Sequence, residues 1–118
     1  MPLNNPTTAG PTHQRDVTGT RALDTVYQNT TGVPLYVAVS TRHYCGNPME
    51  ESKAYFRTDG DNPPTSLVMV MGIYSSVWPQ DQPSHVGFMV VLPGNYYKVQ
   101  TGVSGVATVT LSKWLEWY

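Results

Sequence analysis

The 118-residue sequence is poor in charged residues and has a single cysteine. Charged residues make up 13% of the chain and the formal net charge is −1. The seven Lys and Arg form no run, so the chain lacks the basic patch of a nucleic-acid-binding protein, and we expect no nucleic-acid partner. Cys45 has no second cysteine to pair with, which excludes a scaffold held together by internal disulfides.

Long apolar runs are also missing. No segment approaches the ~20 consecutive apolar residues that a membrane-spanning helix needs. The first six residues have neither the positive charge nor the apolar stretch of a signal peptide. We therefore expect no membrane insertion, and we expect the chain to fold in a reducing cytoplasm.

The sequence has no recognisable catalytic or metal-binding motif. His13, His43, His85 and Cys45 do not supply the two close pairs of a four-ligand zinc site. We interpret them as ordinary polar residues and a buried or loop thiol. No serine lies in a nucleophile-elbow pattern. We therefore expect no cofactor, no bound metal and no enzymatic activity.

Two pairs of carboxylates are the remaining candidates for chemistry. Asp59 and Asp61 flank a glycine, and Glu50 precedes Glu51. Paired carboxylates can serve a glycoside hydrolase, and the Asp59 turn could loosely bind calcium. We favour ordinary turn chemistry, because Asp and Gly are common turn residues.

The residues that are present alternate with the period of β-strands. Residues 35–42 place Leu35, Val37 and Val39 on one face, which is typical of a half-buried strand. Turn signals recur about every eight to twelve residues. Together they predict about seven short strands in one antiparallel β-sandwich or jelly-roll-like domain over residues 20–118.

Several segments depart from this simple alternation. Residues 67–74 and 86–92 are apolar on both faces, so we expect burial on both sides, or burial on one side and a partner on the other. Residues 43–51 and 78–84 contain turn-forming residues or prolines and are predicted as loops. Residues 1–19 are polar and broken by Pro and Gly, and we predict an extended or disordered N-terminal arm that could lie along a partner.

The chain is rich in aromatic residues, with eight Tyr and three Trp. Such side chains fill cores, and when exposed they serve interfaces and sugar-binding faces, because they combine a large rigid area with a polar tip. Both explanations stay open here. The candidates for interface or ligand contact are Trp78, Tyr96, Tyr97, Trp114, Trp117 and Tyr118.

Residues 21–37 read Arg-Ala-Leu-Asp-Thr-Val-Tyr-Gln-Asn-Thr-Thr-Gly-Val-Pro-Leu-Tyr-Val. They resemble a segment of tailed-bacteriophage virion proteins, Arg-Ala-Leu-Gly-Thr-x-Tyr-x-Asn-Thr-Thr-Gly-x-Pro, that occurs in small β-rich modules of tail fibres and other particle-surface proteins. Those modules also carry an apolar-Pro-Gly turn before a Tyr and end in a strand with Trp and Glu, as residues 91–96 and 114–116 do here. Asp24 stands where Gly is common, and residues 43–84 match no part of the pattern.

The resemblance implies a virion structural protein that is made in the host cytoplasm. We expect it to decorate or cement the head, or to belong to the tail, with capsid or tail subunits and further copies of itself as partners. We therefore expect a homo-oligomer. The alternative is a receptor- or carbohydrate-binding module at a tail-fibre tip, which would bind a host-surface glycan or receptor. Its candidate contacts are Trp78, Tyr96, Tyr97 and Asp81.

Overall fold

The computed structural model describes residues 10–118, so the part of the predicted arm before Gly10 lies outside the described residues. Within that range the chain forms eight β-strands and one 3-10 turn at Thr18–Thr20. The strands are β1 (Gln14–Asp16), β2 (Tyr27–Gln28), β3 (Leu35–Cys45), β4 (Glu50–Asp59), β5 (Leu67–Ser75), β6 (Gln80–Val91), β7 (Tyr96–Val103) and β8 (Thr108–Trp117).

The strands form two four-stranded sheets. Sheet one has the order β1-β8-β3-β6, and sheet two has the order β2-β7-β4-β5. Every pairing is antiparallel, so the prediction of an antiparallel β-sandwich is confirmed. Strands β6 and β5 each pair with one neighbour, and they contact each other along one side of the sandwich.

The core lies between the inward faces of the two sheets. Because successive side chains of a strand point to opposite faces, the long strands contribute alternate residues to it. The pleat also brings backbone close to large side chains: a Cβ atom at Gly87 would lie 2.5 Å from Cζ of Phe56, so glycine is required beside this ring. The buried members are Leu35, Val37, Val39, Ala54, Phe56, Met89, Val91, Tyr97, Val99 and Trp114.

Strand β3 confirms the predicted alternation and extends it. Leu35, Val37 and Val39 point into the core. The strand then continues to Cys45, so the prediction of a loop beginning at residue 43 is wrong. Inward-facing His43 is tolerated because both ring nitrogens have partners: Nε2 lies 2.7 Å from the Thr41 hydroxyl, and Nδ1 lies 3.0 Å from the Ser52 hydroxyl.

Strand β6 overturns a second loop prediction. The two prolines of residues 78–84 indicated a loop, yet β6 begins at Gln80 and includes Pro83. Proline lacks a backbone N–H, but an edge strand can accommodate it because one side of that strand makes no ladder hydrogen bonds. The ladder with β3 is also irregular nearby, since the register shifts between Thr41 and His43.

The two segments that are apolar on both faces are β5 and the second half of β6. Each has one face towards the core, with Met69 and Met71 of β5 packed against it and Met89 of β6 buried in it. The opposite faces are exposed, as Val70 and Val90 illustrate. Burial on both sides is therefore excluded within the described chain.

Residues 10–19, which the sequence assigns to an arm, lie along sheet one. Gln14–Asp16 are extended and pair with Leu115, Glu116 and Trp117 of β8. Further backbone hydrogen bonds join His13 to Tyr118 at 2.7 and 3.0 Å. This part of the predicted arm therefore belongs to the domain, whose sheet begins at β1 and not at residue 20.

Candidate functional site

The six aromatic candidates do not form one site. Trp78 is 75% exposed, in the loop between β5 and β6. Tyr97 and Trp114 have no exposed surface and cannot contact a partner in this fold. The three others are partly buried near strand ends: Tyr96, Trp117 and Tyr118. Asp81, the proposed companion of Trp78, is engaged in an ion pair with Arg42.

Tyr97 and Trp114 belong to the core because a buried carboxylate satisfies their polar atoms. The Tyr97 hydroxyl donates to Oε2 of Glu116 at 2.6 Å, and Nε1 of Trp114 donates to the same oxygen at 3.0 Å. Arg15 and Arg21 donate to Oε1 of Glu116 at 2.8 and 3.2 Å. We call these five residues the Glu116 network.

The electrostatics of this network fit a structural role. Burial by itself raises the pKa of Glu116, but hydrogen bonds from Tyr97 and the two arginines outweigh burial and hold that pKa below its ordinary value. Burial and the nearby carboxylate raise the pKa of the Tyr97 hydroxyl. Every polar atom of Glu116 and Tyr97 is thus occupied, and the network offers no group to a substrate.

The three sequence regions that carry the resemblance meet in space. Arg21 of the first region bonds Glu116 of the third. Asn29 of the first region donates from Nδ2 to the carbonyl of Val91 at 2.9 Å, and its own carbonyl accepts from the Gly94 N–H at 3.0 Å. These contacts join the three regions and help to hold the sandwich together.

The backbone conformation at Asp24, where the chain departs from the pattern, explains why this position favours glycine. Its φ is +60°, a left-handed conformation that Gly adopts most readily and Asp tolerates better than most residues. The Asp24 carboxylate accepts hydrogen bonds from the N–H and the hydroxyl of Thr101, both at 2.8 Å. The side chain thus adds a link to β7 that glycine would lack.

The outer face of sheet one carries apolar side chains that point towards solvent. Side chains directly opposite each other on neighbouring strands share a face of the sheet. The register of β6, β3 and β8 therefore places alternate residues of these strands together on the outside. We call this set the apolar face, and its members are Tyr36, Ala38, Val86, Phe88, Val90, Leu115 and Trp117.

The apolar face has a ridge and a depression. On edge strand β6, Phe88 is 62% exposed and Val90 is 49% exposed. Ala38 is only 6% exposed, because it lies between two larger cross-strand neighbours, Phe88 and Leu115. The largest exposed apolar patch of a folded protein is often functional, so this face is the principal candidate functional site.

The outer face of sheet two is polar and charged by comparison. Arg57 and Lys98 are direct cross-strand neighbours there, and Lys53 pairs with Glu51 at 3.4 Å. Exposed aliphatic side chains on this sheet are concentrated on edge strand β5, as at Val70. The two outer faces of the sandwich therefore differ in chemistry.

A cleft of about 550 Å³ adjoins the apolar face at Tyr36. Its volume falls within the range of ~300–1,000 Å³ that is common for small-molecule sites. Its lining contains no Asp, Glu, Lys or Arg, and His13 stacks on Tyr118 with ring centroids 5.0 Å apart. The lining residues are Gly10, Pro11, Thr12, His13, Thr31, Val33, Pro34, Tyr36 and Tyr118.

One carboxylate of each predicted pair, Glu50 and Asp59, stabilises loops through hydrogen bonds to backbone N–H groups. Glu50 accepts hydrogen bonds from the N–H groups of Gly46 and Val106 at 2.9 and 2.8 Å and so joins two loops at one end of the sandwich. Asp59 accepts from the N–H groups of Asp61 and Ser66 at 2.8 and 2.7 Å. These oxygens are occupied by turn contacts, as the turn interpretation of the sequence expects.

The histidines and the cysteine do not gather into a metal site. The rings of His43 and His85 lie 5.0 Å apart, but both nitrogens of His43 have protein partners, and burial lowers its pKa. Cys45 is buried, and its thiol donates to the Glu50 carbonyl. Among residues 10–118, no group of three or more His, Cys, Asp or Glu side chains is arranged to hold a metal ion.

Sequence reasoning missed the apolar face as a unit, although one signal for it was present. The apolar run at residues 86–92 supplied its edge, but the contribution of Leu115 and Trp117 depends on the strand order. Within the described range, no helix has the length and apolar character needed to cross a membrane. Comparisons with protein-family models, curated proteins and solved structures find no match, so the geometry above is the basis for a functional proposal.

Proposed function

We propose that this chain is a structural protein of a bacteriophage particle, which decorates or cements the particle surface through contacts of its β-domain. The role is binding and assembly, and not catalysis. The apolar face is the observation that carries the proposal, because exposed side chains such as Phe88 and Val90 gain free energy when a partner removes them from water.

The resemblance supplies the context of a particle. The contacts of Arg21, Asn29 and Glu116 explain why the three regions of the pattern occur together, and they favour a common module over a chance likeness. A sandwich with one apolar outer face suits a protein that lies on a larger assembly, where subunits bury such faces in repeated contacts.

Immunogold labelling of purified particles tests the proposal directly. We expect label spread over the head for a decoration or cement protein, or along the tail for a tail component. Particles that carry Phe88→Asp should lose label, because an added charge opposes burial of the face. Particles that carry Val70→Asp, which changes sheet two, should keep it. Particles without any label would overturn the proposal.

Carbohydrate binding is the second candidate function, and a cleft whose lining has no Asp, Glu, Lys or Arg favours it. Sugars are neutral, with apolar C–H faces that pack on aromatic rings and hydroxyls that hydrogen-bond to polar side chains. The cleft offers the ring of Tyr36 beside the hydroxyl of Thr12, and it is also lined by Tyr118, whose ring stacks on His13 and lies under the Arg15 guanidinium. This cleft, and not the dispersed residues Trp78, Tyr96, Tyr97 and Asp81, is where a glycan would bind.

Titration of the labelled protein with neutral oligosaccharides, followed by NMR, tests the second candidate. We use maltotriose and N,N′,N″-triacetylchitotriose as probes, up to about 10 mM, which detects a Kd in the millimolar range. Saturable shifts at His13, Tyr36 and Tyr118, abolished by Tyr36→Ala, would support it. The absence of shifts with either oligosaccharide, or shifts that Tyr36→Ala leaves unchanged, would count against carbohydrate binding at this cleft.

A further inference from the structure

We infer that the apolar face binds the apolar face of a second copy of this chain, so that a two-fold symmetric dimer is the unit that decorates the particle. The inference rests on the proposed function, since it names the partner of the same surface. It depends on three properties of the face: its shape, its charge and its size.

The shape of the face is complementary to itself. In a two-fold contact each residue pair occurs twice, once in each direction. Phe88 protrudes from β6, and Ala38 lies beside it in a depression on β3. A two-fold axis that runs parallel to the strands, between β3 and β6, places Phe88 of each copy over Ala38 of the other. The same operation places Val90 over Tyr36 in the adjacent row.

The charge of the face permits contact between identical surfaces. No member of the apolar face is charged. The charged side chains that border it are paired within the chain, Lys113 with Asp16 at 2.7 Å and Arg42 with Asp81 at 2.6 Å. The border therefore has no net charge, and two copies approach without like-charge repulsion. A strongly acidic or basic partner would find no complementary charge here.

The outer face of sheet two does not have the neutral character of the apolar face. Arg57 and Lys98 are neighbours in its register, and a second copy in a face-to-face contact would bring further positive charge towards them. Like charges brought together at an interface oppose association. Self-association is thus opposed at the β4–β7 part of sheet two, which makes sheet two the matched control surface.

The size of the face fits the core of a dimer interface. The proposed axis overlays β3 on β6, and two strands at about 4.8 Å spacing, with about six residues at 3.3 Å each, cover roughly 190 Å² in projection. A standard interface buries about 800 Å² on each partner, with an apolar core inside a polar rim. The outward side chains of β3 and β6 supply the apolar core, and Ser40 and the Arg42–Asp81 pair supply part of the rim.

Sedimentation velocity of the full-length chain over about 1–100 µM tests the inference, together with three variants. We expect the wild type to be a dimer. Phe88→Asp and Val90→Asp should weaken self-association by at least about 30-fold, because each buries a charge at the centre of the contact. Val70→Asp is the control, since Val70 has a similar exposure of 43% on an edge strand of sheet two, and it should remain a dimer. Circular dichroism shows whether each variant is folded.

Each other outcome overturns the inference. A wild type that is monomeric at about 100 µM has no two-fold contact of useful affinity, and a trimer or larger ring has a different symmetry. A dimer that survives Phe88→Asp and Val90→Asp, or that only Val70→Asp disrupts, uses another surface. Particle labelling separates this failure from that of the proposed function: a labelled particle with a monomeric free chain means that the face binds a different virion subunit.

Discussion

The Glu116 network and the apolar face are two regions in which this molecule departs from a polar surface around an apolar core. In the first, a charged carboxylate is fully buried; in the second, large apolar side chains such as Phe88 are exposed. The carboxylate is explained within the chain, because Arg15, Arg21, Tyr97 and Trp114 all donate to it. The exposed side chains have no such explanation within the described residues.

This difference separates a structural feature from a functional one. Buried polar groups and exposed apolar patches are the informative exceptions in a folded protein. A buried polar group whose hydrogen bonds are all made within the chain contributes to the fold, and removing it should lower the free energy of unfolding. An exposed apolar patch that nothing in the chain covers depends on a partner, and replacing its side chains should leave the free energy of unfolding of the isolated chain unchanged. The predictions below test this distinction, beginning with the largest expected effect.

Glu116→Gln should lower the free energy of unfolding by about 3 kcal/mol, because it leaves the partly buried guanidinium groups of Arg15 and Arg21 without their counter-charge. Urea denaturation at neutral pH measures the change. Asp81→Asn is the control, since the Arg42–Asp81 pair is exposed and such pairs contribute about 0–1 kcal/mol. Equal effects of the two substitutions would show that the Glu116 network has no special role.

The wild type and the Glu116→Gln variant should also differ in how their free energies of unfolding respond to acid. The folded-state pKa of Glu116 lies below its ordinary value. Its stabilising contribution is therefore complete above the unfolded pKa of about 4.3 and is lost as the pH falls through the folded pKa. The difference in unfolding free energy between the wild type and Glu116→Gln should shrink as the pH is lowered below about 4. A difference that grows on acidification would contradict the assignment.

Arg15→Gln should lower the free energy of unfolding by about 1.5–3 kcal/mol, the usual value of a hydrogen bond to a charged group. Arg15 connects β1 to the buried carboxylate through two bonds, at 3.0 and 2.8 Å. Lys113→Gln is a matched control, because it also removes an ion pair between β8 and β1, but an exposed one. Hydrogen exchange should show faster opening of β1 in Arg15→Gln alone, and equal opening in both variants would refute the anchoring role.

Asp24→Ala and Asp24→Gly should differ by about 1 kcal/mol, with the alanine variant less stable. Both lose the two hydrogen bonds to Thr101, but alanine keeps a side chain at a φ of +60°, whereas glycine adopts this conformation without strain. Thermal unfolding of the two variants beside the wild type measures the difference. If alanine equals or exceeds glycine in stability, the backbone conformation is not what makes Gly common at this position.

The sequence predicted the sandwich better than it predicted the site. Alternation of Leu35, Val37 and Val39 is a local signal, and it was sufficient for β3. The inward His43 was missed because its Nδ1 finds the Ser52 hydroxyl on β4 of the other sheet. The strand that contains Pro83 was missed because an edge position accommodates proline. The burial of Tyr97 and Trp114 depends on Glu116 being close in space, and the apolar face depends on β8 lying next to β3. Such long-range contacts leave no local pattern in one sequence.

Val90→Thr should change the free energy of unfolding of the isolated chain by no more than about 0.5 kcal/mol, the usual range for surface substitutions. Val91→Thr is the matched control, because Val91 is the next residue of β6 but is fully buried in the core. A hydroxyl at that position loses its hydration and should cost about 1–3 kcal/mol. The comparison must be made at two protein concentrations about tenfold apart, since dimerisation makes the apparent stability depend on concentration. If Val90→Thr destabilises the dissociated chain as much as Val91→Thr does, the apolar face contributes to folding, and its exposure no longer points to a partner.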